Sequence, residues 1–450
     1  MSIQTDPQAH LNHSAVTSPS AELFHRAQRV LPGGVSRNTV LRHPHPLYAA
    51  RGEGCRLIDI EGVSRVDFSN NMCSLIHGHA HPETVRAVTE QLARGTAYMM
   101  ATEAEVVFAE HMCARNDHFE KIRFVNSGTE ALMVSLKTAR AFTGRPKVAK
   151  AEGAYHGGYD YAEVSQAPKP DTWGSAEQPN SVPLAFGTPR SAVEDVVVIP
   201  FNDAERALAI LDRHADELAC VLLDLMPHRV GLNPADRAFV DAMRAWTTRN
   251  DALLVLDEVI TFRSQYGGLQ NIYDLTPDIT AMGKMIGGGF PVGAVAGRAE
   301  VMDVMNPLSD KFVYPHSGTF SANPISTVAG LASMTRFDQP AIDRLNALGD
   351  RAREGIARAI ERTGARACVT GCGSLFRVHM KPSPPHNFRE AFTTPEENAR
   401  LKVLLDHMFD AGFVMINTCT GVLSTPMSET EIDAMVDALG AGLEKIRDMP

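Results

Sequence analysis

The sequence predicts an α/β fold, on three observations. Between about residues 120 and 300, short apolar runs rich in β-branched residues alternate with longer stretches of helical periodicity. The runs are continuously apolar, which a mostly parallel sheet covered on both faces requires. A chain of 450 residues also exceeds what one small core organises, so a large domain with a smaller, discontinuous one is expected.

The elements follow in order. The opening MSIQTDPQAHLNHSAVTSPS is polar where a secretory signal needs an apolar centre, and residues 1–20 read as a frayed, soluble tail. KIRFVN is a strand, and the helical EALMVSLKTARAFTG after it closes on Gly144. PKVAKA, DVVVIP, ACVLLDL, ALLVLDEV and DITAMG are further strands. Residues 156–195, rich in Pro, Gly and Ser and without periodicity, read as a long surface excursion bordering a site. From Asp343 onward two helical patterns bracket TGCGSLFRVHM, a strand reached through a turn, as in a smaller C-terminal domain. No internal repeat or low-complexity tract interrupts this order.

Composition narrows the function. With 43 basic and 53 acidic residues the formal charge is −10, and no Lys/Arg run could track a phosphate backbone, so neither nucleic acid nor a membrane surface is an expected partner. No apolar stretch reaches spanning length. The seven cysteines (Cys55, Cys73, Cys113, Cys220, Cys368, Cys372, Cys419) are scattered and never form a CxxC pair. That argues against a disulfide framework or a zinc site and for a reducing cytoplasm. His77, His79 and His81 alternate without an acidic or thiol companion, so turn and supporting roles are expected of them rather than metal binding.

Three features carry chemistry. Ser127, Gly128 and Thr129 stand between a strand and a helix N-terminus, where free amides and the helix dipole favour a phosphate; the same SGT is also an ordinary helix cap. Asp257 ends ALLVLD, so its carboxylate lies at the floor of a cleft, where it needs a cationic or hydrogen-bonding partner or else caps the next turn. A protonated pyridine nitrogen would be such a partner. Lys284 follows DITAMG and precedes Gly287, Gly288 and Gly289; apolar surroundings favour an amine's uncharged, nucleophilic form, and the glycines would leave room for a bulky carbonyl cofactor. Together, with the lysine 27 residues after the acid, these are the contacts that pyridoxal 5′-phosphate (PLP) needs for its phosphate, ring nitrogen and aldehyde. Tyr155 in GAYHGGYD offers a ring that could stack on the pyridine or simply belong to the core.

FVNSGTEA, GAYHGGYD, LLVLDEVITFR, DITAMGKMIGGGFPVGA and HSGTFSANP, in this order, resemble the class III (ω-type) PLP-dependent aminotransferases. The nearest branch looks like the glutamate-1-semialdehyde aminomutases and β-amino-acid transaminases, and the resemblance runs from about LPGGVSR to the C-terminus. It implies PLP fold type I: a large domain with a mostly parallel seven-stranded sheet over about 70–322, and a smaller α+β domain built from 21–69 and 323–450. It also implies a homodimer with active sites at the interface, acting on a small-molecule amino donor and a keto-acid acceptor. By motif match Lys284 would form the internal aldimine and serve as base, and Asp257 would pair with the ring nitrogen. Ser127, Gly128 and Thr129 would hold the phosphate, Tyr155 and Val259 would enclose the ring, and Thr319 would reach the neighbouring subunit's phosphate.

The departures bear on substrate. DEVITFRSQYGG lacks the extra glycine of the aminomutases' DEVMTGFR-like stretch, and Arg37 in LPGGVSRNT matches a carboxylate-binding arginine of the β-amino-acid transaminases. Where relatives read roughly VEPVQG, this chain has LDLMPHRVG, with Asp224 for the glutamate and Pro227 for a glutamine; His228 or Arg229 would supply the missing polar group. Asn417 and Thr418 stand where the β-phenylalanine transaminases carry a second arginine. The expected activity is transfer from an amine or a β- or ω-amino acid. The closest rival is an isomerase, an aminomutase or racemase; a nucleotide-binding protein is weaker, since no GxGxxG follows a strand.

Overall fold

The computed structural model describes residues 18–450. The tail expected over 1–20 lies outside the described residues as far as 17, and its last three residues are not tail. Ser18 accepts a hydrogen bond from the Ala21 amide and caps a helix, Pro19–Gln28. Proline at the first helical position has no amide to leave unpaired, so Ser-Pro here is a helix start.

Three antiparallel strands follow: β1 (Ala49–Glu53), β2 (Arg56–Asp59) and β3 (Ser64–Asp67). The central sheet comprises β4 (Lys121–Val125), β5 (Lys147–Ala151), β6 (Val196–Ile199), β7 (Leu218–Leu223), β8 (Leu253–Asp257), β9 (Ile279–Gly283) and β10 (Gly293–Gly297). Their order is β4-β10-β9-β8-β7-β5-β6, all parallel except β10, which runs antiparallel between β4 and β9. The seven-stranded, mostly parallel sheet is thus as the sequence led one to expect. The six apolar runs are its six parallel strands.

Burial explains why those runs are continuous. In β8, Leu253 and Val255 join the core beneath the helix Gly128–Thr143, while Leu254 and Leu256 join the opposite core with Phe239, Met243 and Trp246 of the helix Arg237–Arg249. Successive strand residues point to opposite faces, so two covered faces leave no polar position. The segment 156–195 is less superficial than its composition suggests. It holds short helices at Asp160–Glu163 and Arg190–Glu194, and Ala162, Val164, Ser165 and Gln166 are buried.

The C-terminal part carries β11 (Cys368–Thr370), β12 (Leu375–His379), β13 (Phe413–Val414) and β14 (Thr420–Val422). β11, β12 and β14 form one small sheet, whereas β13 pairs in parallel with β3, so segments from both ends of the chain share a sheet. The helical patterns after Asp343 are the helices Gln339–Thr363 and Pro395–Asp410, the latter opened by a reciprocal capping box between Thr394 and Glu397. Of the alternating histidines, His77 bonds Thr425 and the Ser333 carbonyl, and His79 bonds Asp67 at 2.9 Å. Among the described residues no helix is long and apolar enough to cross a membrane.

Candidate active site

The carboxyl ends of five parallel strands deliver the chemistry to one edge of the sheet. Asp257 is the last residue of β8 and Lys284 the first after β9; these strands are neighbours, with Asp257 opposite Ala281. Asp224 follows β7, Ser127 follows β4 by two residues, and Tyr155 and His156 lie on the turn after β5. Lys284 itself adopts φ 50°, a left-handed backbone that an L-residue holds only where its surroundings fix it. The glycines after it also answer a packing demand. A Cβ on Gly287 would come within 2.5 Å of Val292, and one on Gly288 within 2.4 Å of the Ala329 carbonyl. They let the lysine's turn pack tightly on its neighbours.

Ser127 caps the helix Gly128–Thr143, its hydroxyl accepting from the Glu130 amide, and Gly144 ends that helix at φ 70°. The ordinary cap is therefore formed, at the helix N-terminus where the anion cradle is expected. A Cβ on Gly128 would meet Val259 at 2.9 Å, and one on Gly283 would meet the Gly128 amide nitrogen at 3.3 Å, so cradle, Val259 and the strand leading to Lys284 are in contact. The Thr129 hydroxyl accepts from the Gly158 amide at 3.3 Å, joining the cradle to the Tyr155 turn.

Asp257 is 6% exposed. One oxygen takes the Val259 amide at 3.0 Å and the other lies 2.8 Å from Nδ1 of the buried His156, whose Nε2 has no partner. Burial pushes the His156 pKa down, partly countered by its bond to Asp257, so the neutral ring donates from Nδ1. Asp224 is held well above the usual carboxyl range by burial and then by the Asp257 charge, and its Oδ1 accepts from the Met226 amide at 2.8 Å. Sequence reasoning overlooked His156, although it adjoins Tyr155. It also overlooked Lys150 in β5, a fully buried ammonium that donates to the carbonyls of Ala154 and Val164 at 3.0 and 2.8 Å.

The structure places the other candidates unevenly. Tyr155 is 46% exposed, with the Arg229 guanidinium 5.2 Å from its ring centroid. His228 is committed to its own fold: Nε2 lies 3.1 and 3.3 Å from the hydroxyls of Thr418 and Thr420, and its carbonyl accepts from Arg377. Burial holds its pKa at about 3. Arg37 is exposed and donates to Asn71 at 2.6 Å, on a turn that packs beside that of Lys284. Asn417 and Thr319 are exposed, Thr319 on a separate loop.

A family model for aminotransferase class III matches residues 39–439. The chain belongs to the class III aminotransferases. It is 38% identical to a glutamate-1-semialdehyde 2,1-aminomutase of Methanothermobacter thermautotrophicus over 83% of this chain and 86% of that one. Among solved structures, an omega-transaminase from Sphaerobacter thermophilus is 45% identical, covers 96% of this chain and 98% of its own, and superposes with a TM-score of 0.93. A β-phenylalanine aminotransferase from Variovorax paradoxus is 32% identical, with coverage of 95% and 94% and a TM-score of 0.85.

The cofactor of this enzyme family is PLP, and the residues present fit it. The fit rests on an amine at a strand end, a buried carboxylate backed by a histidine, and a helix N-terminus where any Cβ at Gly128 would collide with Val259. These are the groups that an aldehyde, a pyridine nitrogen and a phosphate each demand.

Proposed function

We infer that the chain is an aminotransferase that carries an amino group from an amine or a β- or ω-amino acid to a keto acid. The observation that carries this reading is the gathering of Lys284, Asp257 with His156, and the Ser127–Thr129 cradle along one sheet edge. In it Ser127, Gly128 and Thr129 hold the phosphate, Tyr155 and Val259 enclose the ring, and Asp257 bonds the ring nitrogen. PLP, when bound, supplies the electrophilic carbon and the electron sink. The chain supplies the rest. Lys284 Nζ would hold the cofactor, and its free amine would take the proton from the donor's amine-bearing carbon and deliver it within the same site. His156 fixes one oxygen of Asp257, and Arg37, bonded to a turn that packs beside that of Lys284, would meet a carboxylate.

The family's homodimer is part of the same reading, with Thr319 serving the neighbouring subunit's phosphate. Its support is a face of exposed apolar residues near that loop: Met99 and Met100 are 104% and 84% exposed, and Asn323 ties Thr96 beside Phe320 with a 2.9 Å hydrogen bond.

The isomerase reading is favoured by the curated relatives, which include aminomutases, and one experiment separates the two. The visible spectrum of the holoenzyme is followed on adding 3-aminobutyrate without a keto acid. Loss of the lysine-bound cofactor's band, restored by pyruvate or 2-oxoglutarate, is expected. A rearranged product formed with no acceptor would make the chain an isomerase, and full turnover in Lys284→Ala would overturn both readings.

A further inference from the structure

The turn after β7 is bolted on either side of Arg229. Before it, Arg377 donates to the His228 carbonyl at 2.6 Å, and Thr418 and Thr420 engage the His228 ring. After it, the Gly231 carbonyl accepts from the Thr370 hydroxyl at 2.7 Å and lies 2.9 Å from His379 Nε2. These bonds fix the backbone at both ends of a short 3-10 turn, His228–Val230. The Arg229 side chain is the part left over. Its guanidinium is half-buried, stands against the Tyr155 ring, and among the described residues makes no hydrogen bond or ion pair.

That arrangement is unfavourable without a ligand. A guanidinium drawn out of water with no counter-charge loses solvation that an aromatic face only partly restores. Burial accordingly lowers its pKa, and the nearby Lys150 offers it no counter-charge in either protonation state. An anion arriving beside Tyr155 would meet a half-buried planar fork whose donors are uncommitted, the geometry that matches a carboxylate with two parallel hydrogen bonds. The cofactor's phosphate already has a seat of its own in this reading, the helix N-terminus at Ser127 to Thr129, so the anion that Arg229 would meet is a different one.

We propose that Arg229 is the specificity-determining residue that seats a substrate carboxylate beside Tyr155, so that the enzyme selects amino and keto acids over simple amines. The proposal rests on the aminotransferase reading for the identity of the substrate, and not for the presence of the anion seat. The rigid turn adds to specificity: a fork held from both sides needs little ordering when the carboxylate arrives.

The test titrates wild-type, Arg229→Gln and Arg229→Lys holoenzymes calorimetrically with two unreactive carboxylates, succinate and 3-phenylpropionate. Glutamine is expected to raise the Kd of at least one probe about 10- to 100-fold, as loss of a charge-assisted pair does, with lysine restoring part of it. In steady-state assays the loss should fall on KM for carboxylate substrates more than on kcat. No probe binding to the wild type, or an unchanged Kd in Arg229→Gln, overturns the proposal. So does a shifted cofactor spectrum with unchanged probe affinity, which would assign the fork to the cofactor's ring hydroxyl. If the wild type binds the probes but transfers no amino group from any donor, the aminotransferase reading fails while the anion seat stands.

Discussion

Asp257 and His156 form a pair in which each explains the other. The carboxylate is withdrawn from water at a strand end, and the neutral ring beside it supplies a hydrogen bond that solvent cannot. Asp257→Asn keeps the shape but removes the charge, and kcat should fall by on the order of 10²-fold or more with the cofactor still bound. His156→Ala should cost less, about tenfold, with a shift in the visible band as Asp257 loses its support. Equal activity in Asp257→Asn and wild type, measured at saturating substrate, would remove Asp257 from the chemistry. Lys150 makes a separate prediction. Burial lowers its folded pKa to about 7, from 10.5 in an unfolded chain, so between those values the unfolded chain binds the extra proton. Stability should therefore rise with pH from about 7 toward 10.5, by up to ~1.4 kcal/mol per unit, and Lys150→Met should flatten that rise in urea midpoints taken at pH 7 and 9. Lys284 and Asp257 were legible because each ends an apolar strand, a place where a charge needs a reason. Nothing local marks His156, whose partner Asp257 the sheet brings to it, or Lys150, whose partners are the carbonyls of Ala154 and Val164, groups that every residue carries.

At the scale of elements, the parallel strands could be read because both of their faces are covered, and the long helices because they carry caps and a clear period. β10, as long as most of its neighbours, escaped because GAVAG is made of small residues with a glycine at each end. Its glycines answer to close approach instead: a Cβ on Gly293 would lie 2.1 Å from the Ser127 carbonyl, and one on Gly297 2.3 Å from that of Asp278. The same physics ties the Tyr155 turn to the phosphate cradle. Gly157 holds φ 88°, and a Cβ there would come within 2.5 Å of the Thr129 hydroxyl. Gly157→Ala should force Thr129 and the Gly158 amide apart, weakening PLP retention about tenfold and also lowering the melting temperature of the apoprotein, since alanine is strained at this φ. Titration of the apoprotein with PLP, followed by the recovered visible band, measures this. Unchanged affinity would mean that the two elements meet without depending on each other.

For the whole molecule, the meeting of β3 and β13 shows what local pattern could not supply. β13 is two residues long and pairs with a strand nearly 350 positions earlier, so only the family resemblance, not periodicity, could join the chain ends. The proposed dimer has the same character, because a surface laid out for a partner looks like a loop until its exposure is seen. Tyr98, Met99, Met100, Phe320, Val313 and Leu308 are all exposed, and Asn323 holds the first group beside Phe320. Isolated apolar residues on a surface are ordinary, but Tyr98, Met99 and Met100 follow a residue tied to the loop that carries Thr319 and Phe320. If that face is covered by a second copy, Met100→Glu places a charge where it cannot be hydrated, and the dimer's dissociation constant should rise about 10- to 100-fold. Sedimentation at several concentrations reads the mass, and the cofactor band reads whether Thr319 serves the neighbouring site. Loss of PLP in step with dissociation is expected, because each cradle would lose the donor that the other subunit provides. A variant that becomes monomeric yet retains PLP as wild type does would separate the interface from the cofactor and return Thr319 to a purely structural role.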